Sequence, residues 1–471
     1  PAGTYWGRDA LARWFLDGAT PEVVRARQEA VRELAPLLDL RQELTLGAYQ
    51  LRSRVETCEE FLAWAEDQPV LFHRRWTIRA TRLLPILLAL LGLLQGLGAV
   101  SAPLWLLPLA GQIGLSFWFG GRIHRVFSRV SAREGDFRRY ADLIRTAAAR
   151  RYVAPQLDAL RACLTAQAGI ACHQMERLDE LTSLADLRLS PMLHIPLQLL
   201  TLWDFHVLQA LERWQNGPGR HARRWLEALG ELEAIAALAG LSHDNGDWAF
   251  PTFLTEGPPM FTAEDLGHPL IPRKARVHND VVLGPPGSFL LVTGSNMSGK
   301  STLLRSIGVG VVLAQAGGPV CARTLRLPPV RLATSIHVRD SLEAGVSFFM
   351  AELQRLKGVV DLADGDDPRP LLYLLDEVLR GTNAQEREIA VRRVLVHLLK
   401  RGAMGAVTTH DLSLARLEGL EDACHPVHFT ETFERTPQGP RMDFDYRVRE
   451  GVATTRNALK LVELVGIELD D

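Results

Sequence analysis

Positions 83–121 run through about 39 residues without a charge, close to twice the ~20 apolar residues that one helical bilayer crossing needs. A turn at Ser101-Ala102-Pro103 divides the run into 83–102 and 104–121. Pro85 and Pro108 fall near the start of each half, where a missing backbone N–H costs little. His73, Arg74, Arg75, Arg79 and Arg82 precede the run, and Arg122, His124, Arg125 and Arg129 follow it. Positive-inside bias holds both flanks in the cytoplasm, which a two-helix hairpin satisfies and a single span does not. Trp105, Phe117, Trp118 and Phe119 suit the membrane interface. A soluble buried hairpin would show a polar stripe at helical spacing, and this run offers little beyond Gln95 and Gln112. The expectation is a membrane protein with two crossings and its soluble parts in the cytoplasm.

The chain of 471 residues is long enough for two or three domains, and its 47% hydrophobic and 23% charged content is that of a folding protein with real cores. A formal net charge of −2 gives no general attraction to polyanions, so contact with nucleic acid would need a local basic patch. Arg138, Arg139, Arg150, Arg151, Arg220, Arg223 and Arg224 are candidates for one. The cysteines Cys58, Cys163, Cys172, Cys321 and Cys424 form no C-x-x-C pair, which points to a reducing compartment. Cys172-His173 and Cys424-His425 lack metal-ligand spacing. No cleaved signal is visible from Pro1 onward, and the chain does not begin with Met, which leaves room for an upstream segment.

On both sides of the apolar run, over about 5–80 and 122–241, apolar residues recur at helical spacing. In "GATPEVVRARQEAVREL" Thr20 is placed to cap, Pro21 to open the helix, and Val23, Val24, Ala30, Val31 and Leu34 to share a face. "LLTLWDFHVLQALERW" keeps the same period, and Gly217-Pro218-Gly219 and "SHDNGDWAFPTF" are breaks. From about Pro251 short apolar runs alternate with helical patterns, the texture of a parallel α/β sheet. "SFLLVTG", "RPLLYLLDE" and "GAMGAVTTHD" read as strands that carry chemistry at their carboxyl ends, where open α/β sheets bind ligands.

Gly294-Ser295-Asn296-Met297-Ser298-Gly299-Lys300-Ser301, followed by Thr302, satisfies G-x-x-x-x-G-K-[ST] between a strand and a helix. Its glycines let backbone N–H groups turn toward phosphates, the helix start adds positive potential, Lys300 meets β and γ oxygens, and Ser301 ligates Mg²⁺. Asp376 would hold the Mg²⁺ shell, and Glu377 would orient or deprotonate the attacking water, so hydrolysis of ATP is implied. His410, at the end of "AVTTH", is a candidate γ-phosphate sensor.

"TGSNMSGKST", "DSLEAGVSFFMAEL", "LLDEVLRGTN" and "TTHD" together resemble the ATPase domain of the MutS family of DNA mismatch repair proteins. The resemblance takes in "GHPLI" at 267–271 and "HND" at 278–280, and extends more weakly to "PEVVRARQEAVREL", which looks like the family's core and lever. It implies an α-helical core/lever domain over 1–250, into which the transmembrane helical hairpin read from the uncharged run at 83–121 would be inserted. An ABC-type α/β P-loop NTPase domain over 251–471 would follow. It also implies a homodimer through the ATPase domains, each completing the other's site. Gly345 and Phe349 would shape a loop from which Ser347 reaches the partner's γ-phosphate, with Glu352 behind it, and Arg380, Gly381 and Thr382 would meet the partner. Asn296 would help to read the nucleotide state.

The chain departs from the family pattern at Ser295 and Ser298 in the phosphate loop and at Leu379, where glycine is usual. The expectation is a protein without the family's mismatch-recognition and connector domains ahead of the core. The family's Phe-x-Glu mismatch reader finds only Phe429-Thr430-Glu431, after the ATPase strands, a chance match. The hydrophobic run lies about where the family inserts its DNA clamp. Two functions therefore compete: a membrane-tethered, DNA-associated ATPase of MutS type, or an ATP-driven membrane remodelling or transport component with no DNA role. A scaffold with a dead nucleotide site ranks last, because Lys300, Ser301, Asp376 and Glu377 are all present.

Overall fold

The computed structural model describes residues 2–51, 55–69, 75–131, 136–165, 170–336, 348–379, 384–409, 420–436 and 439–452. The chain forms two compact units, one of residues 1–13 and 29–240, the other of residues 14–28 and 241–471.

Helices dominate the first part of the chain: α1 (Tyr5–Leu16), α2 (Pro21–Leu34), α3 (Leu38–Gln50), α4 (Val55–Glu66), α5 (Arg75–Gly96) and α6 (Leu106–Ser131). They continue as α7 (Asp136–Ala148), α8 (Pro155–Thr165), α9 (Ala171–Asp186), α10 (Pro191–Thr201), α11 (Trp203–Asn216) and α12 (Ala222–Asp244). The start of α2 at Pro21 and the burial of Val24, Ala30, Val31 and Leu34 follow the sequence pattern, but Val23 is exposed. The single period of "LLTLWDFHVLQALERW" is broken at Leu202, whose φ of 54° ends α10 and starts α11. All five cysteines are free thiols.

An aromatic group holds α4, α7 and α11 together in the helical unit: Phe61 lies 5.0 Å from Phe137, and Trp64 stacks on Trp214 at 5.9 Å. Inside the same unit, Glu233 of α12 is 4% exposed and accepts hydrogen bonds from the backbone N–H groups of Gly3 and Thr4 and from the Thr4 hydroxyl. Burial raises its pKa, and the bonds from Thr4 and Gly3 oppose that rise. A raised folded-state value means that this group's contribution is full below the ordinary carboxylate range and is lost as pH climbs through the raised value. Glu233→Gln is therefore expected to flatten urea-unfolding midpoints across that window. Glu233→Ala, which orphans Thr4 and Gly3 donors, should lower stability by about 1–3 kcal/mol at every pH.

The hydrophobic run divides where the sequence places the turn, and α5 and α6 pack on one another. Among the described residues one helix, Trp76–Gly96, is long and apolar enough to cross a membrane, with mean hydropathy 1.7 and 17% of it buried. Of the two expected crossings, α5 alone meets that measure among the described residues. In α6, Gln112, Ser116 and several glycines dilute the apolar residues before charges resume at Arg122.

The second unit holds a six-stranded sheet in the order β12-β9-β4-β8-β7-β6. Its strands are β4 (Phe289–Thr293), β6 (Arg331–Ser335), β7 (Leu371–Asp376), β8 (Met404–Thr408), β9 (Cys424–His428) and β12 (Arg449–Glu450). All neighbours are parallel except β12 with β9. Every residue of β4 and β8 is buried, and in β7 only Asp376 at the end is not, as expected of strands covered on both faces. A smaller mixed sheet, ordered β1-β5-β2-β3, is formed by β1 (Thr252–Phe253), β2 (Phe261–Leu266), β3 (Asn279–Leu283) and β5 (Thr324–Leu327). Helices α13 (Lys300–Ala316), α14 (Phe348–Asp364) and α15 (Ala384–Lys400) alternate with these strands, and β10 (Glu431–Thr436) pairs with β11 (Gly439–Phe444) as a hairpin.

Candidate nucleotide site

The fold sets three chemical segments side by side because β4, β8 and β7 are consecutive in the large sheet. The chain leaves β4 through Gly294 (φ 142°), Met297 (φ 68°) and Gly299 (φ 111°) and enters α13 at Lys300. A side chain at Gly294 would strike the Ser298 hydroxyl at 2.9 Å, so glycine is required for the loop to close this tightly. Its backbone donors gather at the helix start, where the macrodipole favours anions.

Lys300 is 4% exposed, and its Nζ donates to the carbonyls of Gly294 (2.9 Å) and Ser295 (2.8 Å) with Glu377 Oε1 at 3.5 Å. Ser301 Oγ donates to Asp376 Oδ1 at 3.0 Å, and Thr408 Oγ1 donates to the same oxygen at 2.6 Å. Thr408, not singled out in the sequence, also fixes Glu377, whose N–H donates to its Oγ1 (3.0 Å) and its carbonyl (3.2 Å). Glu377 itself has φ 45°, a left-handed conformation rare for glutamate, of the kind that tertiary structure imposes at functional positions. Leu379 has φ 60° and is 1% exposed: glycine would take this conformation without strain, and the leucine trades backbone strain for burial in the sheet's core.

Around these groups lies a cavity of about 620 Å³. Beyond the phosphate loop and Glu377 its wall includes Leu266, His268, Ile271, Asn279, Phe429 and Tyr446. Burial lowers the His268 pKa, with Arg305 and Arg276 adding to the effect, so the ring presents a neutral face. Asn279 ties down the far wall, donating to the Tyr446 carbonyl (3.0 Å) and accepting from the Val448 N–H (2.8 Å). Sequence reasoning missed Tyr446 and Asn279 as individual residues, although "HND" carried the signal for the second. It also set Phe429-Thr430-Glu431 aside as chance. Phe429 lines the cavity, and Glu431 Oε2 accepts from the Ser295 hydroxyl at 3.1 Å.

The donor set fits a nucleotide with its metal. Ser298 Oγ is buried inside the loop without a hydrogen-bond partner, and the carboxylate and hydroxyl of Asp376 and Ser301 make a half-shell that phosphate oxygens and water would complete. No group of three His, Cys, Asp or Glu side chains able to hold a metal by itself occurs among the described residues. His410, Gly345, Ser347, Arg380, Gly381 and Thr382 lie outside the described residues, as does the side chain of Phe349. Glu352 is buried on α14 at 3% exposure.

Residues 290–469 match MutS domain V. The DNA mismatch repair protein MutS of Thermotoga maritima is 29% identical over 260 residues, covering 53% of this chain and 30% of that protein. Endonuclease MutS2 of Thermus thermophilus is 36% identical over 203 residues, 42% of this chain and 26% of that protein. DNA mismatch repair protein MutS 2 of Halobacterium salinarum is 34% identical over 269 residues, 55% of this chain and 28% of that protein. The comparisons support kinship with the MutS family. The chain spans at most 30% of the length of these relatives.

Proposed function

We propose that this chain is an ATP-hydrolysing protein of MutS type that works as a dimer at a membrane and associates with DNA. The observation that carries the first part is the cluster of Lys300, Glu377, Ser301 and Asp376 at the carboxyl ends of adjacent strands. Bound ATP would draw Lys300 away from the loop carbonyls toward its phosphates, and Mg²⁺ would sit on Ser301 and Asp376. Glu377, released from Lys300, would then orient water. Gly345, Ser347 and Phe349, with Arg380, Gly381 and Thr382, would complete the site of a second copy, and His410 would sense the γ-phosphate.

The membrane part rests on α5 and α6. Their outward faces include Leu83, Ile86, Leu90, Leu93, Leu107, Phe117 and Trp118, exposed by 49–88%. Mean hydropathy averages over both faces of a helix, and the two polar side chains of α6 ahead of Arg122 that interrupt its apolar part do not face outward: Gln112 is 1% exposed and Ser116 meets Gln198. Both basic flanks on the cytoplasmic side would make the pair a hairpin with its tip across the bilayer. An ATPase that remodels the membrane without DNA is the second reading. It is favoured by Arg223, a candidate DNA contact, being neutralised by Glu66 (2.6 Å) and Glu59 (3.6 Å).

The test is steady-state ATP hydrolysis by the protein in lipid nanodiscs with perfect, mismatched and branched DNA. Stimulation that weakens with added salt is the expected result, since phosphate contacts release counterions. Turnover that depends on lipid and ignores every DNA would replace the first reading with the second.

A further inference from the structure

Helix α10 has its polarity reversed for a helix in water. Met192, Leu193, Ile195 and Leu200 are 88%, 58%, 55% and 60% exposed, and no residue of the helix is buried. Its polar residues turn inward instead. His194 Nε2 lies 2.8 Å from Asp204 Oδ1, Gln198 Nε2 donates to Ser116 Oγ at 3.0 Å, and Gln198 Oε1 accepts from the Asp204 N–H at 2.9 Å. Asp204 is 6% exposed and also meets Arg188 Nε at 3.4 Å, so its charge is compensated inside the bundle. An aqueous surface helix places leucine inward and histidine and glutamine outward, because exposed apolar area costs about 25 cal/mol per Å². Reversal is stable where the surrounding medium is hydrocarbon.

The position of α10 says which medium that is. It packs against both α5 and α6, so its apolar face continues theirs. Arg188, just before it, lies over the Phe127 ring at 5.3 Å, on one side of the exposed basic residues Arg122 and Arg125, and Gln198 meets Ser116 on the other. The helix therefore climbs past the basic collar toward the apolar tip of the hairpin. At 1.5 Å per residue it is roughly 16 Å long, about half of a ~30 Å hydrocarbon core, too short to cross. Arg122 and Arg125 on α6, and Arg79 and Arg82 on α5, are exposed and complement anionic headgroups.

We infer that α10 is a third lipid-contacting helix, seated in the headgroup–acyl boundary of the leaflet that α5 and α6 enter, with anionic phospholipid against its outer face. This rests on the membrane reading above and extends it to a segment outside the 83–121 run. A change at the ATPase unit that shifts the helical unit would then act on lipid through α10 as well as through the hairpin.

Nitroxide labels on Leu193→Cys and Ile195→Cys, in a chain with Cys163→Ser, would be compared with Leu90→Cys on α5 and Leu46→Cys on α3. The protein would be held in vesicles of phosphatidylcholine and phosphatidylglycerol. Collision rates with oxygen, which partitions into lipid, and with a water-soluble nickel chelate would be measured. The expected oxygen-to-nickel ratio at positions 193 and 195 is several-fold above that at 46 and close to that at 90. Lipid exposure at 90 with water exposure at 193 and 195 overturns this inference and leaves the hairpin standing. Water exposure at 90 as well overturns both. Shielding of 193 and 195 from both reagents would mean that protein covers α10, and also overturns it.

Discussion

Glu377→Gln is expected to lower ATP turnover by about 10²–10⁴-fold, the usual contribution of a positioned general base, while ATP binding survives. The amide keeps the shape, the hydrogen bonds from the Glu377 N–H to Thr408 do not involve the side chain, and the φ of 45° is set by the backbone around it. Loss of the charge also removes one attraction that holds Lys300 back from the phosphates, the carboxylate at 3.5 Å. Binding of a fluorescent ATP analogue should therefore be equal or tighter in the variant, and single-turnover hydrolysis should carry the whole defect. Turnover within threefold of the parent chain would remove Glu377 from the chemistry and point to another group for water activation.

Gly405→Ala is expected to give the largest loss of stability among single methyl insertions in the α/β unit. Gly405 lies in the middle of β8, directly opposite Tyr373 of β7 and Phe289 of β4. A Cβ there would stand 2.2 Å from the Tyr373 carbonyl oxygen and 2.6 Å from its ring. Neither can retreat, because Tyr373 is fully buried at the centre of the sheet, where burial also pushes its phenol well above the ordinary range. Overpacking a core by a methylene typically costs about 1–3 kcal/mol, and a backbone collision belongs at or above the top of that range. Gly358→Ala is the contrast: nothing lies within 4 Å of the added atom on the exposed face of α14, and alanine favours the helix by roughly 1 kcal/mol. Thermal unfolding of the two variants should move in opposite directions. An unchanged midpoint for Gly405→Ala would mean that β7 and β8 are not paired in this register.

The α/β unit was legible because its motifs are local. A phosphate loop needs its glycines, lysine and serine within eight residues, and "LLYLLDE" announces its strand and its acids in one run. What the sequence could not deliver there were groups brought in from far along the chain. Thr408, which orders both acids, lies 32 residues from Asp376, and Tyr446 is held by Asn279 from 167 residues away. Glu431 reaches Ser295 over 136 residues, and its motif context pointed to coincidence.

In the helical unit the hydrophobic run fixed where two helices and a turn would form, since an uncharged stretch of that length leaves no other way to satisfy the backbone in an apolar setting. Composition alone could not say which face each helix turns to the medium. Gln112 and Ser116 lower the hydropathy of α6, yet tertiary packing turns them inward and leaves Phe117 and Trp118 outside. The same holds for α10, where Asp204 and Ser116 hold His194 and Gln198 on the inner side and leave Met192, Leu193 and Ile195 exposed. The sequence by itself determined the phosphate loop, the acids after β7 and the order of helical and α/β parts, because each is written in neighbouring residues. Only tertiary structure decided which polar side chains face inward and which distant residues close the nucleotide cavity, because both depend on contacts between segments that the chain's order does not relate.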